Sequence, residues 1–310
     1  MICVDPRQKL VLDLISVLQL GTLDYATALR LQQKLVALRK DGQIGDVLLL
    51  LEHTPVITLG RNAKWANILA SPEALSSRGV EVCECDRGGD VTFHGPGQLV
   101  VYPIFDLRGF PSASTTRKTL GAVEFVRLLE EVLIRTCAEF GIETKRSAGL
   151  TGVWTGEDTR LPTDSSAHPE SSTQPDSRGR LSPRGSGAVG DSVQSAGSEA
   201  KIAALGVHIS RGVTSHGVAL NVNNDLSFFD LIVPCGITSK PVTSMQAELG
   251  RVVPMQDVAH VMSRNFGSVF QSQMLWLDTL DALRGMNIGV PMKVPDSLRK
   301  IRGEEDSAWA

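Results

Sequence analysis

The sequence predicts an α+β domain in which helices flank a mixed β-sheet. Apolar segments of strand length intermix with amphipathic segments of helix length, without the regular strand–helix–strand repeat of a doubly wound fold. The chain has 310 residues, 42 % hydrophobic and 21 % charged, which is typical of a soluble globular protein. We expect one domain over residues 10–275 and a poorly patterned C-terminal extension over 276–310.

The first predicted elements are one helix and two strands. Residues 24–40 carry apolar side chains on one broad face and are followed by Asp41 and Gly42, which predicts an amphipathic helix that ends there. Residues 46–52, with an apolar run between Asp46 and Glu52, and residues 56–59 are predicted to be buried strands.

A helix start signal follows these strands. Ser71 can cap a helix in which Pro72 takes the first position, and Gly79 is expected to end it. Residues 80–85 form a predicted strand that leads into a glycine-rich loop, and residues 99–105 form the apolar strand that leaves it.

The longest predicted helix covers residues 118–140, where apolar side chains recur at helical spacing. Strands are predicted to follow it at 142–145, 150–154, 202–209 and 216–222. Thr243 and Gln246 have the spacing of a capping box, which predicts a short helix to Leu249. A further helix is predicted over 255–272.

Residues 157–200 interrupt this pattern. The segment contains ten serines, five glycines and four prolines, and it has no aromatic residue. Such a composition cannot bury enough apolar surface to offset the entropy lost on ordering. We predict a disordered insertion between two strands.

Composition argues against several functional classes. A net charge of -3 gives no basic surface for nucleic acid, and no apolar segment is long enough to span a bilayer. Asp5 and Arg7 interrupt any signal-peptide pattern. Five cysteines at irregular spacing favour a reducing compartment, so we expect a cytoplasmic protein. Cys83 and Cys85 are too closely spaced for a zinc knuckle, and no metal is expected.

The most informative segment is the loop at residues 87–98. Four glycines, one proline and the side chains of Arg87, Thr92, His94 and Gln98 fall within it. Glycine lets a ligand approach the main chain closely, and polar side chains of several types can then hold the ligand. The loop is predicted to bind a ligand rather than to be an ordinary hairpin connection.

This segment resembles the signature of lipoyl(octanoyl) transferases. The matching residues are Arg87-Gly88-Gly89, Thr92, His94-Gly95-Pro96-Gly97-Gln98 and Tyr102-Pro103. Later matches are Lys201-Ile-Ala-Ala-Leu-Gly206, His216-Gly-Val-Ala-Leu-Asn221 and Pro234-Cys235-Gly236. The resemblance covers roughly residues 18–270. It implies the fold of lipoate-protein ligases and biotin ligases, and it makes 10–275 an octanoyltransferase catalytic domain.

The resemblance also implies roles for individual residues. In that family a cysteine forms an acyl thioester and a lysine activates the thiol, which implies these roles for Cys235 and Lys201. The implied substrate-binding residues are Arg87, Gly88, Gly89, Asp90, Val91, Thr92, Phe93, His94, Ala204, Leu205, Gly206, Gly217, Val218 and Ala219.

The implied reaction moves an octanoyl group from acyl carrier protein to a lysine of a lipoyl domain. The implied acceptors are lipoyl domains of 2-oxoacid dehydrogenases or the glycine cleavage H protein. No cofactor is expected, because the thioester donor is already activated.

The residues alone leave several alternatives open. Cys235 could be presented in a tight loop or buried as a small hydrophobe, and Lys201 could face solvent at the start of a strand. His216 could carry a proton or be structural. His94 could bind substrate or order the Cys235 loop, whereas His208 is expected to be structural.

Two other functions also remain open at this point. An ATP-dependent lipoate or biotin ligase would need a nucleotide loop, for which Arg87-Gly-Gly-Asp90 is a candidate, but it would give Cys235 no chemical role. A non-catalytic acyl-binding protein would need no reactive thiol at all.

Overall fold

The computed structural model describes residues 13–156, 199–236 and 240–283. Its helices are α1 (Tyr25–Lys40), α2 (Pro72–Ser77), α3 (Ala122–Glu139), α4 (Met245–Leu249) and α5 (Met255–Phe270). Its strands are β1 (Asp13–Leu23), β2 (Asp46–His53), β3 (Val56–Leu59), β4 (Glu81–Glu84), β5 (Val91–His94), β6 (Gln98–Ile104), β7 (Lys145–Ser147), β8 (Leu150–Trp154), β9 (Lys201–Ser210), β10 (Val213–Asn221) and β11 (Ser272–Leu277).

The strands form one large and one small sheet. The large sheet has the order β11-β1-β2-β6-β10-β9-β8-β7, and the small sheet has the order β4-β3-β5. Strand β1 pairs in parallel with β2 and β11, whereas β6, β10 and β9 pair with antiparallel neighbours. The predicted α+β class with a mixed sheet is confirmed.

Helices cover both faces of the large sheet. Strand β2 shows this by alternation, since Leu48 and Leu50 belong to the core beneath α3 and α5. Its residues Val47, Leu49 and Leu51 belong to the core beneath α1. Burial on both faces explains why this strand is continuously apolar from Val47 to Leu51.

The small sheet is joined to the chain segment that precedes Cys235. Phe93 on β5 stacks on Phe228 with ring centroids 4.7 Å apart, and Phe229 and Ile232 complete the same apolar cluster. This cluster therefore fixes the 226–232 segment beside β5, only a few residues before Cys235.

Two predicted helix starts are confirmed in detail. The N–H of Thr27 donates to Asp24 Oδ1 (2.8 Å) at the start of α1. The N–H of Ala74 donates to Ser71 Oγ (3.2 Å) at the start of α2, where Pro72 takes the first helical position.

Other predicted boundaries were wrong. Helix α3 starts at Ala122, not 118, because Leu120 N–H instead donates to Phe110 O (3.0 Å) in an extended segment. Residues 142–144 are not a strand, since Ile142 N–H closes the end of α3 by donating to Cys137 O (3.0 Å).

The cap of α4 lies one residue later than predicted. Ser244 caps α4, and its Oγ accepts from Ala247 N–H (3.2 Å). Thr243 Oγ1 instead donates to Glu248 Oε1 (2.6 Å).

The predicted disorder of 157–200 lies outside the described residues, apart from 199 and 200. The same holds for the N-terminal residues used to argue against a signal peptide, and for the extension beyond residue 283. Within the part of the chain that the structure describes, no helix is both long and apolar enough to cross a membrane.

Candidate active site

A cavity of about 240 Å³ lies between the two sheets and the first turn of α1, where Tyr25 lines it. Thirteen of the predicted site residues line it: Cys235, Lys201, Arg87, Gly89, Asp90, Thr92, His94, Ala204, Leu205, Gly206, Gly217, Val218 and Ala219. The sequence places these residues in four separate segments, and the fold brings them around one space.

Lys201 and Cys235 are in direct contact. Lys201 Nζ donates to Cys235 Sγ at 3.1 Å. Lys201 is only 7 % exposed, so the alternative of a solvent-facing strand start is wrong. An ammonium group this close to a sulfur favours the thiolate over the thiol by direct charge attraction.

The backbone presents the Cys235 thiol rather than packing it in the core. Cys235 has φ of +56° and Gly236 has φ of +68°, so the chain turns sharply at the thiol. A non-glycine residue in this conformation costs about 1–3 kcal/mol, which the surrounding structure must offset. The thiol side chain is half-buried and faces the cavity.

Asp90 holds the Cys235 segment through one intermediary. Its Oδ2 accepts from Asn67 Nδ2 (2.6 Å), and Asn67 O accepts from Val233 N–H (2.7 Å). Asp90 Oδ1 also accepts from the N–H groups of Lys64 and Val91. This aspartate of the glycine-rich loop thus ties the loop to the turn that carries Cys235.

The charge of Lys201 has no carboxylate partner in the described ranges. The nearby Glu199 is bound by Lys240 and Lys145, and these hydrogen bonds, that of Lys240 foremost, lower the pKa of Glu199 to about 2. The Trp154 ring lies 5.3 Å from Lys201 Nζ. The face of an indole ring attracts a cation only weakly compared with an anion, so the Cys235 sulfur is the natural counter-ion.

Arg87 lines the cavity, and its guanidinium group is bound to oxygens of the protein. Its Nε donates to Thr58 Oγ1 (2.9 Å), and its Nη2 donates to Thr58 O and Asp90 O (2.6 Å each). Its Nη1 donates to Gly88 O (3.0 Å). Four of the five guanidinium N–H groups are thereby used on protein oxygens.

Three predicted binding residues do not line the cavity. Gly88 lies beside it and donates its N–H to Val207 O (3.1 Å). Val91 and Phe93 point into the apolar cluster of the small sheet, because alternate residues of β5 face opposite sides. Thr92 and His94 on the same strand face the cavity.

Apolar residues of the paired strands β9 and β10, four of them alanine or glycine, form one wall of the cavity. The pairs are Gly206 with Gly217, Leu205 with Val218, and Ala204 with Ala219. A Cβ on Gly217 would lie 2.1 Å from Val101 O, and a Cβ on Gly206 would lie 2.7 Å from Gly88 O. Both glycines are required by close backbone approach, and the wall they leave is smooth and apolar.

His94 is neutral and its tautomer follows from its neighbours. Gln98 donates through Nε2 to Phe93 O (3.2 Å) and Asn221 Oδ1 (2.9 Å), so its Oε1 accepts from His94 Nδ1–H (2.7 Å). His94 Nε2 therefore carries the free lone pair. Burial lowers the pKa of His94 to about 3.

A second buried histidine supports this side of the cavity. His53 Nδ1–H donates to Leu23 O (3.0 Å), so its Nε2 accepts from the Tyr102 hydroxyl (2.7 Å). Burial lowers the pKa of His53 to about 4 and raises the pKa of Tyr102. Tyr25 stacks on the His94 ring with centroids 6.3 Å apart.

His216 lies at the opposite edge of the same cavity. Its N–H donates to Gln32 Oε1 on α1 (2.7 Å), and its Nε2 donates to Asp86 Oδ1 (2.7 Å). His216 has φ of +55°, an uncommon conformation for a non-glycine residue. Burial lowers the pKa of His216, and the carboxylate of Asp86 opposes this shift.

Comparison with known proteins places the chain in a family. Residues 24–267 match the model of the lipoyl protein ligase A/B catalytic domain. A protein of Koribacter versatilis named octanoyltransferase is 50 % identical over 94 % of this chain and 98 % of its own length. A second octanoyltransferase, from Acidobacterium capsulatum, is 52 % identical over 86 % of this chain and 94 % of its own length.

This chain belongs to the octanoyltransferase branch of the lipoyl protein ligase A/B family. The resemblance seen in the sequence is therefore confirmed, and the chain is an acyltransferase. The roles of its individual residues are not tested by these comparisons and stay predictions.

Two solved structures share the fold of this octanoyltransferase-family chain. One is a bipartite lipoate protein ligase from Thermoplasma acidophilum, with a TM-score of 0.57, 14 % identity, and coverage of 90 % of this chain and 97 % of that one. The other is lipoate-protein ligase A bound with ATP, with a TM-score of 0.57, 13 % identity, and coverage of 86 % and 90 %. At this identity the likeness confirms the predicted ligase-like fold.

Sequence reasoning gave no site role to five residues that line the cavity: Tyr25, Tyr102, Gly149, Leu150 and Thr151. Tyr102 belongs to the signature of the octanoyltransferase family, which was a usable signal. Tyr25 sits on the apolar face of α1, where it is indistinguishable from an ordinary core residue. Among the described residues, no group of three or more histidine, cysteine or acidic side chains is arranged to hold a metal ion.

Proposed function

We propose that this protein transfers an octanoyl group from octanoyl-acyl carrier protein to a lysine of a lipoyl domain, through an acyl thioester on Cys235. The observation that carries the proposal is the 3.1 Å contact between Lys201 Nζ and Cys235 Sγ. This contact lies at a cavity whose apolar wall can accept an unbranched acyl chain.

The first step loads Cys235. The buried ammonium of Lys201 favours the Cys235 thiolate, which is the nucleophilic form of a thiol. The sulfur attacks the thioester carbonyl, a new C–S bond forms, and the bond to the carrier sulfur breaks. The departing carrier thiolate takes a proton from Lys201, which becomes a neutral amine.

The second step passes the acyl group to nitrogen. The acceptor lysine amine attacks the carbonyl of the Cys235 thioester, the C–N bond forms, and the C–S bond breaks. Lys201 regains a proton from the acceptor and again pairs with the released thiolate. The lysine ammonium of the acceptor loses two protons when it becomes an amide. Lys201 takes one of them, so the second proton must leave the site.

Apolar contact supplies the affinity for the chain. Each buried methylene contributes about 0.8 kcal/mol, so an eight-carbon chain gives on the order of 5 kcal/mol. The wall from Ala204 to Gly206 and from Gly217 to Ala219 has no polar side chain that would oppose this burial.

The geometry of Arg87 argues against an ATP-dependent ligase. That alternative needs the Arg87–Asp90 loop to hold nucleotide phosphates. The Arg87 guanidinium is instead bonded to oxygens of Thr58, Gly88 and Asp90, and Asp90 is used to hold Asn67. No nucleotide is needed for transfer from a thioester.

The proposal also covers the bounds of the domain, the acceptor proteins and the location of the protein. We propose one catalytic domain over 10–275, with 157–200 as an insertion that transfer does not require. The proposed acceptors are lipoyl domains of 2-oxoacid dehydrogenases or the glycine cleavage H protein. Free thiols at Cys83, Cys85, Cys137 and Cys235 are consistent with a reducing, cytoplasmic location.

Intact mass spectrometry tests the proposal. The protein is incubated with octanoyl-acyl carrier protein in the absence of ATP, and the mass of the protein is compared with that of Cys235→Ala. We expect one octanoyl adduct on the native protein and none on the variant. A transfer reaction that needs ATP would favour the ligase instead.

A further inference from the structure

The proposed transfer releases one proton that must leave the cavity. Lys201 can hold one of the two protons that the acceptor ammonium loses, and the second needs another carrier. The structure offers a side chain that reaches from the acyl cavity to a second, separate cavity. We propose that His216 takes this surplus proton from the acceptor amine and that Asp86 passes it to solvent.

The position of His216 suits this role. It lines the acyl cavity together with Cys235 and Lys201. It also lines a neighbouring cavity of about 290 Å³ that contains Asp86, His208 and Lys40. His216 is 2 % exposed, whereas the Asp86 side chain is 58 % exposed, so the pair spans from buried to open.

The hydrogen bonds of His216 fix which nitrogen can act as the base. A carboxylate only accepts hydrogen bonds, so the 2.7 Å contact makes Nε2 the protonated nitrogen of the neutral ring. Nδ1 then carries the lone pair, and within the described residues no protein group hydrogen-bonds to it. The Tyr102 ring meets the imidazole edge-on, at a centroid distance of 6.4 Å.

His94 cannot serve as the exit, although it lines the same cavity. Its Nδ1–H is bound to Gln98, whose amide is bound in turn to Asn221 and Phe93, and this network contains no group that titrates. Burial places the pKa of His94 at about 3, too low to hold a proton near neutral pH. His94 Nε2 is better suited to accept a substrate N–H, which leaves His216 for proton transfer.

The groups around His216 allow its imidazole to hold a proton only briefly. Burial is the largest effect and opposes protonation of the imidazole; the carboxylate of Asp86 favours it, and Arg87 and His208 oppose it. His208 Nε2 also faces Asp86, at 3.6 Å. On the cavity side His94 stays neutral, because burial lowers its pKa to about 3, so it adds no positive charge beside His216. The proton is therefore accepted beside an anion and released to water.

In the transfer step the acceptor nitrogen bonds to the acyl carbon while the C–S bond to Cys235 breaks. One proton of the acceptor ammonium moves to Lys201, and the second moves to His216 Nδ1. The Nε2 proton moves to Asp86 and then to solvent. When the imidazole returns to its first tautomer, the net products are amide, free Cys235 thiolate paired with Lys201, and one proton in solution.

This inference rests on the proposed function, and it predicts that His216 matters in only one half-reaction. Loading of Cys235 moves no surplus proton, whereas transfer to the amine does. Single-turnover measurements separate the two steps. Octanoyl-enzyme is formed, freed from carrier protein, and mixed with a lipoyl domain, and both steps are followed by intact mass.

We expect His216→Gln to load Cys235 at a rate within about twofold of the native protein. Transfer to the lipoyl domain should slow roughly 100-fold, the usual scale for loss of a general base. Asp86→Asn, whose side chain is largely exposed, should slow transfer about tenfold and leave loading unchanged. Imidazole added to His216→Ala should restore transfer without altering loading, a rescue that a merely structural role would not show.

His260→Gln is the control, because the exposed His260 on α5 lines neither the acyl cavity nor the neighbouring cavity that contains Asp86. Both half-reactions should be unchanged in it. Equal slowing of loading and transfer in His216→Gln and Asp86→Asn, or no slowing in either, would overturn the proton route. Failure of the proposed function would look different, since the native protein itself would then form no octanoyl-enzyme.

Discussion

The main chain of Gly152 lies directly against the side chain of Lys201. A Cβ on Gly152 would be 2.7 Å from Lys201 Cε and 3.0 Å from Ala203 O, and Gly152 has φ of +137°. The buried carboxylate of Glu130 on α3 accepts from Gly152 N–H (3.4 Å). Gly152 thus forms the surface on which Lys201 rests, and it sets where the ammonium meets Cys235.

We therefore expect Gly152→Ala to displace the Lys201 ammonium from Cys235. The rate at which Cys235 is loaded from octanoyl-acyl carrier protein should fall roughly 100-fold, because misplacing a catalytic group by about 1 Å has an effect of this order. Intact mass at timed intervals measures this rate.

Gly141→Ala is the control for this substitution. Gly141 also has positive φ, +82°, but no atom lies within 4 Å of a Cβ built there. It should lose stability without losing the loading rate per folded molecule. Equal loss of loading in both variants would show that backbone strain, and not Lys201, is responsible.

Lys201→Met should make Cys235 less reactive toward iodoacetamide at pH 6.5. The positive charge 3.1 Å from the sulfur favours the thiolate, and its removal should slow labelling at least about tenfold. Cys137 provides an internal reference, because burial raises its pKa to about 12. Peptide mass spectrometry gives the labelling rate of each cysteine in the same sample.

Lys240→Met is the matched control for that experiment. Lys240 Nζ lies 4.9 Å from the same Trp154 ring, yet Lys240 binds Glu199 rather than Cys235. Labelling of Cys235 should be unchanged in it. If Cys235 in the native protein reacts no faster than Cys137, the thiol is not activated and the non-catalytic alternative gains support.

The buried histidines predict how stability depends on pH. Burial lowers the pKa of His53 to about 4 and of His94 to about 3, below the value of about 6.5 in an unfolded chain. Between these values the unfolded chain binds more protons, so the free energy of unfolding falls as pH is lowered. Each histidine should contribute about 1 kcal/mol per pH unit between pH 6 and 4.5.

Urea unfolding at several pH values measures this slope. His53→Gln should reduce the slope by about 1 kcal/mol per pH unit, because it removes one buried neutral histidine, whereas replacing the exposed His260 with Gln should leave the slope unchanged. A free energy of unfolding that stays constant from pH 7 to 5 would mean that these histidines are not buried in the neutral form.

Much of the fold could be predicted from local signals. Helix α1 and helix α2 begin at residues whose side chains cap them, and β2 is apolar from Val47 to Leu51 because it is buried on both faces. These signals are contained within a few neighbouring residues. Elements that depend on distant partners were harder to predict.

Strand β1 shows why prediction failed near one end of the large sheet. Its sequence includes Ser16, Gln19 and Gly21, which weaken any strand pattern. It forms a strand because β2 and β11 pair with it on both sides. Strand β11 was missed for the same reason, since it lies in the poorly patterned region after α5.

Strand β5 was predicted to be part of the glycine-rich loop. It is four residues long, and glycines flank it closely in the sequence. Pairing with β3 decides its conformation, and the alternation of its side chains decides that Thr92 faces the cavity while Phe93 does not.

The site could be predicted only in part. Motifs identified Lys201 and Cys235, but their contact joins residues that are 34 positions apart and exists only in the folded chain. The hydrogen bonds of Asn67 and the contact of Gly152 with Lys201 carry no local signal, because they depend on which strands lie side by side.

The most direct test of the central claim is a chase experiment on isolated octanoyl-enzyme. The adduct is separated from carrier protein, mixed with a lipoyl domain without ATP, and both proteins are weighed by intact mass spectrometry. We expect the octanoyl group to leave Cys235 and to appear on one lysine of the lipoyl domain. Undiminished transfer from octanoyl-acyl carrier protein by Cys235→Ala would contradict it.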